Sequence, residues 1–225
     1  MTAKTATIPT KQYGFYIDTT VCSGCKTCMV SCKDRSNVNA GLKWRRVYEM
    51  VGGSWNKQAD GSFQQDVFSY YTSIGCNHCS DPACVKVCPV GAHTKRESDG
   101  FVLIDADKCI GCQACASQCP YDAPQFDANT HKMTKCDGCN DRVAKGLMPQ
   151  CVESCPSRAL DFGEIGELRK KYGKNADIQS LPDSSQTKPN IIVKVNKHGT
   201  KSGHINNAFE VTNPALNSSP RHVVK

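Results

Sequence analysis

Alternation of apolar and polar positions marks a few strand candidates along this chain. Gln12 to Asp18 alternates and predicts a strand. Trp44-Arg45-Arg46-Val47-Tyr48-Glu49 and Val67 to Ile74 predict two more, with Gly52-Gly53 and Asp60-Gly61 as turns between them. Phe101 to Asp105 follows a Ser98-Asp99-Gly100 turn and reads as a short strand, and Ile191 to Val195 as another. Glu164 to Tyr172 has helical periodicity and ends at Gly173. From Asn175 on the chain is polar and rich in Ser, Asn, Pro and Lys, which predicts a tail that wraps a partner or lacks order. No apolar run reaches the roughly 18 residues of a membrane span.

These elements are sparse for a chain of 225 residues, and the apolar stock is thin: 39% hydrophobic and 7% aromatic. Something other than an oily core must hold part of the fold together. Sixteen cysteines supply the candidate. They fall into four groups of four. The first is Cys22, Cys25, Cys28 and Cys32; the second is Cys76, Cys79, Cys84 and Cys88. The third is Cys109, Cys112, Cys115 and Cys119; the fourth is Cys136, Cys139, Cys151 and Cys155, with residues 140–150 inserted in its middle.

Cysteines at every third residue suit a cubane iron–sulfur cluster, because a loop can wrap the cube and set three thiolates on three irons. The fourth iron is reached from elsewhere, and in two-cluster ferredoxins the last Cys of the other motif, followed by Pro, reaches it. Cys88, Cys119 and Cys155 are followed by Pro89, Pro120 and Pro156, whereas Cys32 is followed by Lys33. A tetrahedral zinc site seldom uses the third Cys of groups one and three, although group four alone is zinc-like. Disulfides belong to short exported chains, and c-type haem needs CxxCH, which is absent.

Only Pro89 to Lys108 separates groups two and three, the layout of a two-cluster ferredoxin. Crossing would give one cluster to Cys76, Cys79, Cys84 and Cys119 and another to Cys109, Cys112, Cys115 and Cys88. Groups one and four then pair by elimination, as Cys22, Cys25, Cys28 and Cys155, and as Cys136, Cys139, Cys151 and Cys32. The expected fold is α+β: two nested bacterial-type two-cluster ferredoxin modules with a β-rich insertion and an extended C-terminal tail. Residues 12–32 with 120–165 form the outer module and 76–119 the inner one. Residues 33–75 form the insertion, and 166–225 form a helix and a partner-wrapping or flexible tail. The insertion holds most of the large aromatics, and they are read as packing on the modules, or alternatively as a partner-facing patch.

The formal net charge is +7. Four clusters of four thiolates bring roughly −8, so the basic excess reads as counter-charge and no nucleic-acid footprint is expected. Lys26, Lys86, Lys108, Lys135 and Arg158 lie beside or near ligands, where positive charge raises a cluster potential. His78 sits inside a cluster loop, where a histidine can tune a potential through a hydrogen bond or charge; the favoured reading is a solvated surface residue. No G-x-G-x-x-G, Walker loop, HExxH or nucleophile elbow is present, so catalysis is not expected on this chain.

The stretches QYGFYIDTTVCSGCKTC, SYYTSIGCNHCSDPACVKVCPVGA, DKCIGCQACASQCPYDAPQF, MTKCDGCNDRVAKG, CVESCPSRALDFG and TKPNIIVK resemble the four-cluster electron-transfer subunits of the molybdopterin oxidoreductases. They are most similar to the iron–sulfur subunits of the anaerobic dimethyl sulfoxide reductases. The resemblance implies the same nested crossing. With Cys112 in place, it implies four [4Fe-4S] clusters rather than three and a [3Fe-4S]. It also implies a molybdopterin catalytic partner, and a membrane anchor subunit or cytochrome as donor. Localisation would follow the partner: export as a folded complex to the periplasmic side of the inner membrane or the cell surface, without a signal on this chain and after cluster assembly in the cytoplasm. The same role beside a polysulfide, thiosulfate, nitrate or formate enzyme, or as a free-standing polyferredoxin, stands as the alternative.

Overall fold

The computed structural model describes residues 9–206. In chain order its elements are β1 (Tyr13–Asp18), α1 (Thr27–Ser36), β2 (Arg46–Gly52), β3 (Trp55–Lys57), β4 (Phe63–Gln65), β5 (Phe68–Ile74), α2 (Ala83–Lys86), β6 (His93–Lys95) and β7 (Val102–Ile104). There follow α3 (Ala114–Gln118), β8 (Gln125–Asp127), β9 (Lys132–Thr134), α4 (Asn140–Val143), α5 (Gln150–Glu153), β10 (Leu160–Glu164), α6 (Ile165–Tyr172), β11 (Ile191–Lys194) and β12 (His204–Ile205). The mixture is α+β. Strands alternating in the sequence form, and the expected helix at Glu164 to Tyr172 appears as α6.

The first sheet has the order β10-β1-β11, with β1 antiparallel to β10 and parallel to β11. Phe15 and Ile17 stand opposite Phe162 and Leu160 on one side and Ile191 and Val193 on the other, all buried. Tyr16 and Ile192 point to the other face, where α6 covers them with Ile165 and Leu168. Each such aliphatic side chain contributes about 1.5–3 kcal/mol when fully buried. Tyr16 and Tyr172 stack with ring centroids 3.7 Å apart.

The β-rich insertion forms the sheet β12-β2-β5. Met50, Phe68, Tyr70 and Ile74 share one face of it and Val47 lies on the other, and all five join the main core. Its tip is the β3–β4 hairpin, where Trp55 is 66% and Phe63 61% exposed. The aromatics thus divide: Phe68 and Tyr70 pack on the modules, while Trp55 and Phe63 face outward.

The stretch read as an extended tail differs from that expectation as far as Asn206. Ile178, Leu181, Ile191, Ile192 and Val193 are buried in the protein's own core, and β12 extends the insertion sheet. A parallel partner for β1 has to come from far along the chain, and an apolar IIV run between polar flanks suffices for it. Residues 207–225, the rest of that tail, lie outside the described residues.

Five short helices, α1 to α5, were not legible as helices. In four of them the buried positions include cysteines in place of an apolar stripe: Cys28 and Cys32 on α1, Cys84 on α2, Cys115 on α3 and Cys151 on α5; α4 is a single turn with no buried residue. In space α1 packs on α5, and α2 packs on α3.

Candidate metal centres

Each cysteine group begins with a tight loop whose third residue has positive φ: Gly24, His78, Gly111 and Gly138. That left-handed residue reverses the backbone so that both flanking thiols face one side. At Gly24 and Gly138 glycine is required twice over. A Cβ on Gly24 would lie 2.5 Å from the Tyr71 ring, and one on Gly138 would lie 2.5 Å from the Phe101 ring. His78 holds the same conformation (φ 43°) with a side chain. The histidine is fixed by its surroundings. It is 1% exposed, its Nδ1 accepts from the Val102 amide at 2.9 Å, and its ring meets Phe101 edge-on at 4.9 Å. The expectation of a solvated surface histidine is therefore overturned.

Two cavities lie among these loops. The first is lined by Cys76, Cys79, Cys84 and Cys119, with Lys135 and Asn77. The second is lined by Cys32, Cys136, Cys139 and Cys151, with Trp44, Arg45 and Phe15. Cys76 belongs to both walls. Elsewhere, Cys22 has Cys28, Cys155 and Cys25 as its thiol neighbours in the electrostatic field. Cys115 has Cys109 and Cys112, and Cys88 packs on the cluster of buried residues that includes Cys84, Cys109 and Cys115.

The donors around the cavities fit an acceptor that the chain itself does not supply. Asn77 Nδ2 at the first, and Trp44 Nε1 and Arg45 Nε and Nη2 at the second, are buried without a hydrogen-bond partner among the described residues. Buried donors of this kind cost about 1–3 kcal/mol each unless paired. Inorganic sulfide and thiolate at a cluster are acceptors of the right kind. Among the described residues no three Cys, His, Asp or Glu side chains converge tightly enough for one metal ion. A cubane needs no such convergence, because each thiolate binds a different iron.

Burial dominates the thiol chemistry. It pushes Cys22 up to about 11 and Cys32 and Cys79 up to about 12, with neighbouring thiols adding to the rise. Exposed Cys25 is lowered, by hydrogen bonds from Thr27. Metal must therefore displace protons at most positions, so loading is linked to pH.

Of the five basic residues flagged by sequence, Lys135 is buried and donates to the carbonyls of Val102 and Cys136. Lys86 and Lys108 are exposed and pair with Asp81 and Asp105. Arg158 is exposed and donates to the carbonyls of Glu153 and Cys155 at 3.0 and 3.2 Å. Lys26 is half-buried at the start of α1. The residue that sequence reasoning missed is Arg45, 5% exposed. Arg45 immediately precedes β2 and Arg46 opens it, and both are buried, so strand alternation alone does not single out Arg45. Arg46 donates to the carbonyls of Asp122, at 2.9 Å, and Tyr121. Burial pulls the Arg45 pKa down, but Cys151, Cys28, Cys136 and Cys32 together hold it above its ordinary value.

A 4Fe-4S dicluster domain matches residues 67–165 and a 4Fe-4S binding domain matches residues 19–39. The chain is 54% identical to the B chain of anaerobic dimethyl sulfoxide reductase from Haemophilus influenzae, over 89% of this chain and all of that relative. It is 38% identical to the B subunit of tetrathionate reductase from Salmonella typhimurium, over 81% of this chain and 72% of the relative. It is 34% identical to the B chain of polysulfide reductase from Wolinella succinogenes, over 84% and 97%.

Proposed function

The protein belongs to the family of iron–sulfur subunits of the anaerobic dimethyl sulfoxide reductases, and from that premise we propose how its cysteines build an electron wire. It is the electron-transfer subunit of a molybdopterin oxidoreductase, not the catalytic one, and it carries four [4Fe-4S] clusters. Those clusters, when bound, accept and release single electrons; the chain supplies ligands, spacing and dielectric.

The ligand sets of our reading are Cys22, Cys25, Cys28 and Cys155; Cys32, Cys136, Cys139 and Cys151; Cys76, Cys79, Cys84 and Cys119; and Cys88, Cys109, Cys112 and Cys115. The observation that carries it is the pair of cavities, each walled by one complete set. The contacts of α1 with α5 and of α2 with α3 support two nested modules in the same way, residues 12–32 with 120–165 around 76–119. Cys76 on both cavity walls supports adjacency of the second and third sets, which makes the sets above consecutive stations.

Cys25 and Cys112 are exposed, at opposite ends of that order. Val21 and Val30 are exposed near the first, and Ile110 near the second. We take these as the faces where the molybdopterin subunit and an electron donor dock. The donor in this reading is a membrane anchor subunit or cytochrome. In this reading the complex travels folded to the periplasmic side or the cell surface. An S-oxide acceptor follows from the 54% relative; tetrathionate or polysulfide follows from the more distant ones.

The test is anaerobic purification from the native host with metal counted per protein molecule. Roughly sixteen irons and one molybdenum are expected. Zinc in place of iron would end the reading, and iron without a molybdenum partner in any preparation would turn it to a free polyferredoxin.

A further inference from the structure

Arg45 is a buried cation without a carboxylate. No ion pair to it occurs among the described residues, and its Nε and Nη2 have no hydrogen-bond acceptor there. Its guanidinium lies over the Phe15 ring, 5.1 Å from the centroid, and lines the cavity of Cys32, Cys136, Cys139 and Cys151. Arginine does not shed its proton in proteins, so it cannot escape the cost of burial by becoming neutral. The compensating charge must come from the thiolates around it: Cys151, Cys136 and Cys32 of this set, and Cys28 of the neighbouring one. Trp44, the preceding residue, brings a second unpartnered donor to the same cavity through Nε1. Gly75 opposite leaves the room: a Cβ there would sit 3.2 Å from the Trp44 carbonyl and 3.6 Å from Arg45 Nη1.

We infer that Arg45 and Trp44 set the potential of the station held by Cys32, Cys136, Cys139 and Cys151, making it a well for electrons inside the wire. The inference rests on that ligand set. Each one-electron reduction places one extra negative charge at the station, the electron coming from the neighbouring station, which is oxidised. The fixed charge of Arg45 and the N–H of Trp44 both favour the reduced form, so both raise the potential. Lys135 donates to the Cys136 carbonyl and lines the cavity of Cys76 and Cys84, so the positive field is shared toward the third set. Arg45 touches no substrate; it is a positioning residue for charge.

The test is a redox titration, followed by electron paramagnetic resonance, of the purified complex carrying Arg45→Gln, Arg45→Lys or Trp44→Phe. Iron is counted in every sample, and a Cys139→Ser variant identifies the signal of the station. Arg45→Gln is expected to lower that signal's reduced-to-oxidised ratio about tenfold at fixed potential, about 59 mV for one electron. The station of Cys28 shifts less, and the station of Cys109, Cys112 and Cys115 does not move. Arg45→Lys keeps most of the potential, and Trp44→Phe lowers the same signal alone. A Gln shift no larger than that of Lys, or one spread evenly over four signals, overturns the inference. If Arg45→Gln loses iron, Trp44→Phe decides: a shift confined to the station supports the inference, and an unmoved signal overturns it. A wild-type complex without its full iron would instead sink the ligand reading beneath it.

Discussion

Nε2 of His78 faces the sulfur of Cys136 at 4.0 Å, across the boundary between the second and fourth cysteine groups. Because Nδ1 accepts from the Val102 amide, the proton of the neutral ring sits on Nε2 and points at the sulfur. One imidazole thus ties a β7 amide to a ligand of another loop. Replacing it by leucine leaves the Val102 N–H unsatisfied, at a cost of about 1–3 kcal/mol. His78→Leu should lower the temperature of cluster loss. His78→Asn, which tolerates the left-handed backbone and offers an acceptor, should lower it less. Equal loss in both variants would show that the hydrogen bond is not what matters.

His93 gives the protein an acid limit. It is 3% exposed and neither ring nitrogen has a partner among the described residues. Burial, helped by the charge of Lys135, pulls it down to about 4. The unfolded chain takes up this proton near pH 6.5 and the folded chain only near pH 4. Stability is therefore full above about 6.5 and falls on acidification, by about 1.4 kcal/mol per pH unit across that window. Bleaching of the visible cluster absorbance should accelerate between about pH 7 and about pH 5. In His93→Gln the slope should flatten; an unchanged slope counts against the assignment.

The crossed ligand sets predict pairs of variants with one phenotype. Cys119→Ala should alter the same paramagnetic signal as Cys84→Ala, although Cys119 belongs to another sequence group. Cys88→Ala should likewise match Cys115→Ala. If Cys119→Ala instead matches Cys115→Ala, each motif binds its own cluster and the crossing is wrong.

Residue Ile192 tests the C-terminal strand. It is fully buried between Tyr16, Ile165 and Leu168. Ile192→Ala should cost about 2–5 kcal/mol, read as a lower unfolding midpoint. Truncation after Gly173 removes β11 and exposes the β1 edge with Phe15 and Ile17, and such a protein should fail to retain iron. Normal loading of the truncated form would return this segment to the role of a dispensable tail.

Cysteine spacing alone determined the number of centres and the kind of metal, because wrapping a cube is a local act within a dozen residues. Local too were the strands at Tyr13–Asp18 and Phe68–Ile74 and the helix at Ile165–Tyr172, whose apolar patterns match their periods. The helices α1, α2, α3 and α5 stayed hidden because thiols occupy inward positions that leucine and valine fill elsewhere, and α4 because it is a single turn that buries nothing. Spacing also suggested the crossing that joins Cys119 to Cys76, Cys79 and Cys84, and the shared cavity wall is in line with it. Tertiary structure alone decided that Ile191–Lys194 pairs in parallel with β1. It turned Arg45 inward and buried His78, both polar residues that composition assigns to solvent. Each of these depends on what a side chain meets from a remote segment, and residue spacing carries no record of that.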